Sequence, residues 1–315
     1  MGLEETKSKY VWINGKYVPW AEANIHICSH VIHYGSGVFE GIRCYKTPRG
    51  PAIFRQKEHT DRLFNSAKIY RMDVPFTKDQ VNQAMVELIQ KNGLEECYVR
   101  PIVYRGYKEL GVNPFTCPVD IALITWYWGK YLGPEALEQG VDVMVSSWNR
   151  MAPNTFPAMS KTCANYMNSQ LIKMEAIKYG FVEGIALDVN GFLSEGSGEN
   201  LFIIKDGVIY TPPLHATILP GITRATVITL ARELGYELKE TMMLREFLYI
   251  ADEVFFTGSA AEVTPIRSVD KIKIGSGSRG PVTKAIQEQF FAITSGKAPD
   301  KYNWLTPVQI RETVK

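Results

Sequence analysis

The sequence predicts an α/β protein with mixed sheets, divided into two domains. Strand and hairpin signals alternate with amphipathic helices along the chain, and 315 residues are enough to bury two cores. A segment rich in glycine and proline, residues 128–138, then interrupts this pattern just before a new strand. We therefore expect a small N-terminal α/β domain over residues 1–127, an interdomain loop over 128–138 and a larger C-terminal α/β domain over 139–315.

The first half of the chain begins with a hairpin signal. Asn14-Gly15 lies between apolar and aromatic residues, which is the pattern of a tight primed turn between antiparallel strands. Two later segments, residues 98–105 and 119–127, are rich in β-branched and aromatic side chains. We expect both to pair into one sheet with the early strands.

A helix is predicted between these strands. Thr77 and Gln80 form a capping box at its start, and Asn92-Gly93 ends it. The apolar positions between them repeat with helical spacing and define one buried face: Val81, Ala84, Met85, Leu88 and Ile89. We expect this helix to cover the N-terminal sheet.

The second half of the chain continues the alternation. A strand is predicted over residues 141–146, and a helix from about residue 165 to residue 179 ends at Gly180. Hairpin turns are expected at residues 190–191 and 206–207, which read Asn-Gly and Asp-Gly. The predicted second domain therefore contains both Lys161 and Glu195.

Composition and charge exclude several classes of protein. Hydrophobic residues make up 45% and charged residues 22%, which is typical of neither disorder nor a membrane protein. The net charge of +2 comes without a basic run, so no nucleic-acid partner is expected. The longest apolar run, residues 121–128, is far below the roughly 18 residues that span a bilayer. We expect a cytoplasmic protein with no membrane partner, and reduced thiols at its five cysteines: Cys28, Cys44, Cys97, Cys117 and Cys163.

The segment most informative about chemistry is residues 191–202, GFLSEGSGENLF. Its glycines would let a flat ligand approach the backbone, with the Glu195 carboxylate beside an aromatic nitrogen of that ligand. Upstream, Lys161 is a lysine able to form a Schiff base. Taken singly, Glu195 could be a solvated turn residue and Gly-Ser-Gly a flexible loop; together with Lys161 they predict pyridoxal 5'-phosphate chemistry.

Two further segments could bind an anion. In LPGITRAT, a helix begins after Gly221, so the amides of Ile222 and Thr223 and the Thr223 hydroxyl could hold a phosphate. An ordinary helix cap is the commoner explanation of such a sequence. Residues 258–261, Gly-Ser-Ala-Ala, follow a strand that is predicted to end at Thr257, and their small side chains leave backbone donors open.

Two other patterns are weaker. Residues 275–280 match G-x-G-x-x-G, but only 35 residues follow, too few for the rest of a dinucleotide-binding domain. His26, His30 and His33 have helical spacing, yet the sequence turns at residues 34–37, so hydrogen-bonded structural histidines are favoured over metal ligands. We expect no catalytic metal.

The chain as a whole resembles the class IV aminotransferases, which are pyridoxal phosphate enzymes of fold type IV, and among them the branched-chain amino acid aminotransferases. The resemblance covers nearly the whole sequence and implies the two-domain, D-amino acid aminotransferase-like fold. It rests on six strings in order: residues 33–45 (HYGSGVFEGIRCY), 98–101 (YVRP), 152–166 (APNTFPAMSKTCANY), 186–202 (ALDVNGFLSEGSGENLF), 219–224 (LPGITR) and 256–265 (FTGSAAEVTP).

The resemblance implies roles around pyridoxal 5'-phosphate. Lys161 would be the catalytic residue, first as the nucleophile that forms the Schiff base and then as the base that moves the proton. Glu195 would lie against the pyridine nitrogen and Tyr166 would hydrogen-bond the 3'-oxygen of the ring. The phosphate would be bound by Arg62, by the amides of Ile222 and Thr223, and by Ser259, where the family often has threonine.

The resemblance also implies a substrate pocket that accepts an apolar side chain and a carboxylate in turn. Arg100, with Tyr34, would bind the distal carboxylate of glutamate. Tyr98 and the amides of Ser259 and Ala260 would bind the α-carboxylate. The apolar wall would comprise Phe39, Trp128, Tyr131 and Tyr166, with Tyr34 and Val112 supplied by a second subunit, so a homodimer or a higher oligomer of dimers is implied.

The function that follows is ping-pong transfer of the amino group between branched-chain L-amino acids (leucine, isoleucine and valine) and 2-oxoglutarate. Alternatives within the same fold remain: a D-amino acid aminotransferase, an (R)-amine transaminase or 4-amino-4-deoxychorismate lyase. FEGIR and YVRP favour the branched-chain group. A more distant alternative is a dinucleotide-dependent oxidoreductase, which would rest on residues 275–280.

Overall fold

The computed structural model describes residues 2–128 and 135–309, so Tyr131 lies outside the described residues. The helices are α1 Leu3–Thr6, α2 His30–Tyr34, α3 Gln56–Ile69, α4 Lys78–Asn92, α5 Ala136–Gln139, α6 Asn165–Lys178, α7 Ile222–Glu233 and α8 Pro281–Thr294. The strands are β1 Tyr10–Ile13, β2 Lys16–Pro19, β3 Gly37–Phe39, β4 Ile42–Thr47, β5 Gly50–Phe54, β6 Cys97–Arg105, β7 Val119–Trp126, β8 Val141–Val145, β9 Glu183–Leu187, β10 Leu193–Gly196, β11 Asn200–Lys205, β12 Val208–Thr211, β13 Leu238–Glu240, β14 Glu253–Gly258, β15 Glu262–Val269, β16 Ile272–Lys273 and β17 Leu305–Pro307.

The chain forms two compact units. The first unit comprises Met1–Gly129, Ser160–Ala164 and Ala292–Lys315, and the second comprises Lys130–Met159 and Asn165–Phe291. The short segment that carries Lys161 thus packs with the first unit, although the order of the sequence places it within the predicted second domain. The division into residues 1–127, 128–138 and 139–315 stays a prediction about domains.

The first unit is built on an antiparallel sheet in the order β17-β5-β4-β6-β7-β1-β2, with β3 also paired to β6. The turn between β1 and β2 is at Asn14-Gly15, both with positive φ, as its sequence predicts. Thr77 and Gln80 cap α4 reciprocally, and Gly93 ends it in the left-handed conformation. All five apolar residues expected on the inner face of α4 are buried, and they pack in one core with residues of the sheet.

The second unit contains a mixed sheet in the order β10-β9-β8-β15-β14-β11-β12-β13, with β16 added to β15. Strand β8 is parallel to both β9 and β15, whereas β11, β14 and β15 are antiparallel neighbours. The predicted hairpin at Asp206-Gly207 joins β11 to β12, and Asn190-Gly191 connects the antiparallel pair β9 and β10. The mixed α/β class predicted from the sequence is confirmed.

The helices of the second unit are close to their predicted limits. Helix α6 runs to Lys178, one residue short of the expected end, and Gly180 follows with φ of 82°. Helix α7 begins at Ile222, directly after Gly221. Within residues 2–128 and 135–309, no helix combines the length and the apolar character needed to span a membrane.

Candidate active site

In the first unit, Lys161 lies on a short segment that pairs with β3. The amide of Phe39 donates to the carbonyl oxygen of Lys161 at 2.9 Å, and the amide of Cys163 donates to the carbonyl oxygen of Gly37 at 2.9 Å. On the other side, the Lys161 amide donates to the hydroxyl of Ser66 in α3 at 3.0 Å. The backbone at Lys161 is therefore fixed by both a strand and a helix, which restricts where its ammonium can reach.

The Lys161 side chain is half-buried, and its pKa is lowered to about 8. Burial is the largest cause, because desolvation disfavours the charged form, and the positive charge of Arg62 acts in the same direction. Glu40 and Tyr98 oppose the shift. A lysine with such a pKa has a far larger neutral fraction near neutral pH than an ordinary lysine, and the neutral amine is the nucleophilic form.

Next to Lys161 is a buried group made by Glu40, His59 and Arg62. Arg62 donates to both oxygens of Glu40, from Nε at 2.6 Å and from Nη2 at 2.8 Å, and His59 Nδ1 lies 2.7 Å from Glu40 Oε2. Burial alone would raise the pKa of Glu40, but the charge of Arg62 and the hydrogen bonds hold that pKa well below its usual range. Burial lowers the pKa of His59, so we assign it as a neutral ring donating Nδ1–H to the carboxylate. This group fixes the position of the Arg62 guanidinium.

Arg100 is surrounded by aromatic rings on the same face of the sheet. Its Cζ atom lies 4.7 Å from the centroid of Phe39, 5.5 Å from that of Tyr98 and 5.6 Å from that of Trp126. Lys161 Nζ lies 4.9 Å from the centroid of the same Phe39 ring. The first unit therefore brings Phe39, Tyr98, Arg100 and Lys161 together, as an apolar surface that holds two cations.

A glycine makes room for one of these rings. A Cβ atom at Gly41 would lie 1.8 Å from the hydroxyl oxygen of Tyr98, so only glycine leaves space for Tyr98 in this position. The ring of Trp128 is tilted against that of Tyr98, with centroids 5.1 Å apart, and the Trp128 carbonyl accepts from Arg43 Nη1 at 3.0 Å. Trp128 thus borders the same cluster.

Tyr34 and Val112 are placed differently, on exposed parts of the first unit. Tyr34 ends α2 and is 44% exposed, and Val112 is 87% exposed. His30 joins their two segments, because its amide donates to the carbonyl of Gly106 at 3.1 Å and its Nε2 lies 2.9 Å from the carbonyl oxygen of Gly111. The two segments are therefore held next to each other.

In the second unit, Glu195 is buried in β10 and held by three donors. Arg150 Nη2 lies 2.8 Å from Oε1, while Asn200 Nδ2 and the amide of Leu219 each donate to Oε2 at 3.0 Å. These charged and neutral donors all favour the ionised carboxylate. Neither Arg150 nor Asn200 was predicted from the sequence. Asn200 could have been, because it lies inside the GSGENLF string, whereas no sequence signal marks Arg150.

The N-terminus of α7 adjoins this carboxylate. Asn200 Nδ2 also donates to the carbonyl of Leu219 at 3.0 Å, and a Cβ atom at Gly221 would lie 1.9 Å from Asn200 Oδ1. Gly221 gives α7 no side-chain cap, so the first-turn amides of Ile222 and Thr223 are not bonded to a capping side chain. Asn200 therefore links the Glu195 carboxylate to the start of α7.

Two more parts of the second unit complete the set of predicted residues. Ser259 and Ala260 lie in the turn between β14 and β15, and Tyr166 lies in the first turn of α6. Thr257, which pairs with Asn200 in the sheet, is buried, and its hydroxyl has no hydrogen-bond partner among the described residues. The sequence predicted Thr257 only as the end of a strand. The structure adds its hydroxyl to the candidate hydrogen-bond donors of this region.

Glu199 is a further buried carboxyl group in this region. It is 5% exposed and accepts from the amide of Gly198 at 3.0 Å. Burial, followed by the negative charge of Glu183, raises the pKa of Glu199 to about 8, and Glu195 adds to this shift. Glu199 is therefore mostly protonated at neutral pH.

The two weaker patterns have structural explanations. At residues 275–280, Glu253 occupies the helix start: its carboxylate accepts from the amides of Val282 and Thr283 at 2.9 Å and 2.8 Å. A Cβ atom at Gly280 would lie 2.1 Å from the Glu253 carboxyl carbon, so the glycine makes room for this carboxylate.

The three histidines do not share one helical face, because α2 spans His30–Tyr34 and His26 lies before it. His30 contacts Ser36 Oγ at 2.6 Å and His33 contacts the Ile27 carbonyl at 3.0 Å, as expected of structural histidines. In the part of the chain that the structure describes, no group of three or more His, Cys, Asp or Glu residues could hold a metal ion.

Comparison with known proteins gives one consistent result. Residues 37–269 match the family described as amino-transferase class IV. The branched-chain-amino-acid aminotransferase of Salmonella typhimurium (strain LT2) is 53% identical over 305 residues, covering 96% of this chain and 98% of that protein. The enzyme of the same name from Escherichia coli (strain K12) is 52% identical over 303 residues, with the same coverage.

Solved structures agree. The crystal structure of the branched-chain amino acid aminotransferase of Escherichia coli has a TM-score of 0.95 at 52% identity, covering 96% of this chain and 100% of that chain. The branched-chain amino acid aminotransferase of T.th. with pyridoxamine 5'-phosphate has a TM-score of 0.93 at 46% identity, covering 96% and 99%. The fold predicted from the sequence matches that of these proteins.

Proposed function

The chain belongs to the class IV aminotransferases, and from this premise we propose that it transfers the amino group between branched-chain L-amino acids and 2-oxoglutarate, with pyridoxal 5'-phosphate as cofactor. The names of its relatives, and their identity over nearly the full chain, support this substrate class. The reaction is ping-pong, with each substrate leaving before the next one binds.

The surroundings of Arg100 are the observation that carries the proposal. A transaminase that works between leucine and glutamate must accept an apolar side chain and a carboxylate at one place. Phe39 and Tyr98 supply an apolar surface, and the Arg100 guanidinium lies against both rings. A carboxylate would pair with Arg100, whereas an aliphatic side chain would pack on the rings.

The residues present fit the cofactor. The hydroxyl of Thr257 is a buried donor that lacks a partner among the described residues, and Gly221 leaves the start of α7 uncapped. We propose that the phosphate is bound by Arg62, the amides of Ile222 and Thr223, and the Ser259 hydroxyl. Glu195 would bind the ring nitrogen and Tyr166 would bind the 3'-oxygen. When bound, pyridoxal phosphate supplies an aldehyde that condenses with amines and a ring that accepts electrons.

Lys161 is the catalytic residue of the proposal. Its lowered pKa provides a neutral amine that can attack a carbonyl and later take a proton from the substrate Cα atom. The hydrogen bonds of its backbone to Phe39 and Ser66 limit where Nζ can reach. Glu195, which is paired with Arg150, would stabilise positive charge on the ring nitrogen of the cofactor.

The α-carboxylate, which all substrates share, is assigned to Tyr98 and to the amides of Ser259 and Ala260. Trp128 and Tyr131 extend the apolar wall of the pocket in this proposal. Of the two, Trp128 lies beside Tyr98, and Tyr131 is outside the described residues.

We also propose that the protein is a homodimer, with Tyr34 and Val112 supplied to the pocket of the partner. The support is the number of exposed large apolar side chains in the first unit, among them Ile27 (67% exposed), Val112 (87%) and Phe115 (65%). Large apolar patches on a protein surface mark sites of protein contact, and a second subunit would cover these side chains. Sedimentation of the purified protein tests this: a monomer at micromolar concentration would contradict it.

The proposed function is tested by the visible absorption spectrum of the purified protein, recorded before and after addition of L-leucine, L-glutamate and D-alanine in separate cuvettes. A yellow protein bleached by both L-amino acids but not by D-alanine is expected. Bleaching by D-alanine alone would assign the protein to the D-specific enzymes of the same fold. A colourless protein that pyridoxal phosphate does not reconstitute would contradict the cofactor assignment.

A further inference from the structure

Trp126 is a residue of the substrate region that sequence reasoning did not single out. It ends β7 directly opposite Tyr98 of β6, while Ile124 lies opposite Arg100. Residues directly opposite each other in an antiparallel pair point to the same face of the sheet, as do residues two apart on one strand. Trp126 therefore shares the face that carries Tyr98 and Arg100.

The ring of Trp126 contacts residues of this cluster. Its centroid lies 5.1 Å from that of Tyr98 and 5.6 Å from that of Trp128. The Cζ atom of Arg100 lies 5.6 Å from the Trp126 centroid. The side chain is only 7% exposed, so it forms part of the wall against which Arg100 packs.

The side chains of Trp126 and Arg100 each carry a buried hydrogen-bond donor that no described residue satisfies. Trp126 Nε1 and Arg100 Nε have no acceptor among the described residues. Both groups can only donate, and a buried indole N–H usually finds a partner. Because a buried unpaired donor is costly, two of them in one cluster indicate that the acceptor comes from a ligand.

The charge of the cluster indicates which ligand group this is. Two cationic side chains, Arg100 and Lys161, lie against the Phe39 ring, whereas the nearby Glu40 carboxylate is already paired with Arg62. A carboxylate offers acceptor oxygens to both donors and neutralises this charge, whereas an aliphatic side chain offers no acceptor at all.

We propose that Trp126 is a specificity-determining residue: its Nε1–H, together with Arg100, binds the distal carboxylate of a dicarboxylic substrate. This inference rests on the proposed function. It implies that Trp126 favours glutamate and 2-oxoglutarate over leucine, because an aliphatic substrate leaves the indole N–H unpaired.

The test compares Trp126→Phe with wild type in the two half-reactions, since phenylalanine keeps a ring and removes the donor. The kcat/KM for 2-oxoglutarate is expected to fall about tenfold, mainly through KM, while that for leucine changes little or rises. The matched control is Trp12→Phe. Trp12 is equally buried but lies in the core on the other side of the same sheet, next to Leu123, so it should leave the ratio of the two values unchanged.

A binding measurement on the holoenzyme separates this role from packing. In protein labelled with 15N at tryptophan, the indole resonance that Trp126→Phe removes should move on addition of glutarate, a dicarboxylate without an amino or keto group. It should not move with 4-methylvalerate, an apolar monocarboxylate.

Equal losses for both substrates, together with an indole resonance that glutarate does not move, would overturn the inference. A wild-type protein that does not transaminate would contradict the proposed function instead. In that case the response of the Trp126 indole resonance to glutarate would be the only test of whether Trp126 binds a dicarboxylate.

Discussion

Arg150 and Glu195 form an ion pair of 2.8 Å in which both side chains are only 6% exposed. Arg150 also donates from Nη1 to the side-chain oxygen of Asn168 at 2.9 Å, so the pair is tied to α6 as well as to β10. Two charges taken out of water together stabilise little as a pair, but losing one of them leaves the other buried and uncompensated. Because solvent hardly reaches Glu195, the charge of Arg150 replaces water in stabilising the negative carboxylate.

Arg150→Met, which keeps most of the length of the side chain, should lower the free energy of unfolding by about 3–5 kcal/mol because the Glu195 carboxylate loses its counter-charge. The double variant Arg150→Met/Glu195→Gln should recover most of that loss but should not recover transamination, since it lacks the carboxylate. Urea unfolding of the cofactor-free proteins measures the first effect and steady-state turnover the second. A single variant as stable as wild type would contradict this account of the pair.

Glu40 and Arg62 make a second buried pair, in the first unit. Glu40→Gln removes a negative charge that raises the pKa of Lys161, so the pKa of Lys161 should fall further below about 8. The Arg62 guanidinium also loses a carboxylate acceptor, and the affinity for pyridoxal phosphate should fall about tenfold or more. The pKa can be measured in the cofactor-free protein from the pH dependence of Lys161 labelling by an amine-reactive probe, read by peptide mass spectrometry.

The control for Glu40→Gln is Glu58→Gln, which removes a more exposed carboxylate paired with Arg55 at 2.8 Å. A pair near the surface contributes little to stability, and this one does not enter the pKa of Lys161. If both variants leave Lys161 labelling and cofactor affinity unchanged, Glu40 has only a structural role.

The pKa of Lys161 predicts how cofactor binding depends on pH. The neutral amine is the reactive form, and the lysine loses its proton as the pH rises through about 8. The rate at which pyridoxal phosphate colours the cofactor-free protein should therefore rise between pH 7 and pH 9 and level off above that. A rate that is flat across this range would show that Lys161 titrates elsewhere.

Under the proposed function, Lys161→Ala would remove both the nucleophile and the proton-transfer base, so multiple-turnover transamination should fall at least about 100-fold while the fold is kept. Lys178→Ala, at the exposed end of α6, is the matched control and should retain full activity. Retained turnover in Lys161→Ala would refute the catalytic assignment.

Elements whose signals are local could be predicted from the sequence. The turn at Asn14-Gly15 needs only two residues that tolerate positive φ, and the start of α4 needs only Thr77 and Gln80. The residues expected around Arg100 could be predicted because they lie in short sequence strings that resemble those of class IV aminotransferases.

The partners of these residues could not be predicted, because they are distant in sequence and follow no local pattern. Glu40 and Arg62 are 22 residues apart, and nothing in either neighbourhood marks a buried pair. Trp126 reads as one more aromatic residue in a strand until the register places it opposite Tyr98. The grouping of Lys161 with the first unit likewise depends on pairing with β3, which only tertiary structure reveals.

Glu199 predicts how stability depends on pH. Its pKa is raised to about 8 in the folded protein, so between about pH 4.3, where a glutamate of the unfolded chain titrates, and pH 8 the folded state holds a proton that the unfolded state has lost. Folding stability from this group therefore decreases as pH rises through that window, by up to about 1.4 kcal/mol per pH unit. Glu199→Gln mimics the protonated acid and removes this decrease, so urea unfolding should show the variant gaining on wild type from pH 5 to pH 8. Glu246→Gln, on the surface, should show no such gain, and parallel profiles for Glu199→Gln and wild type would mean that Glu199 is already ionised at pH 5.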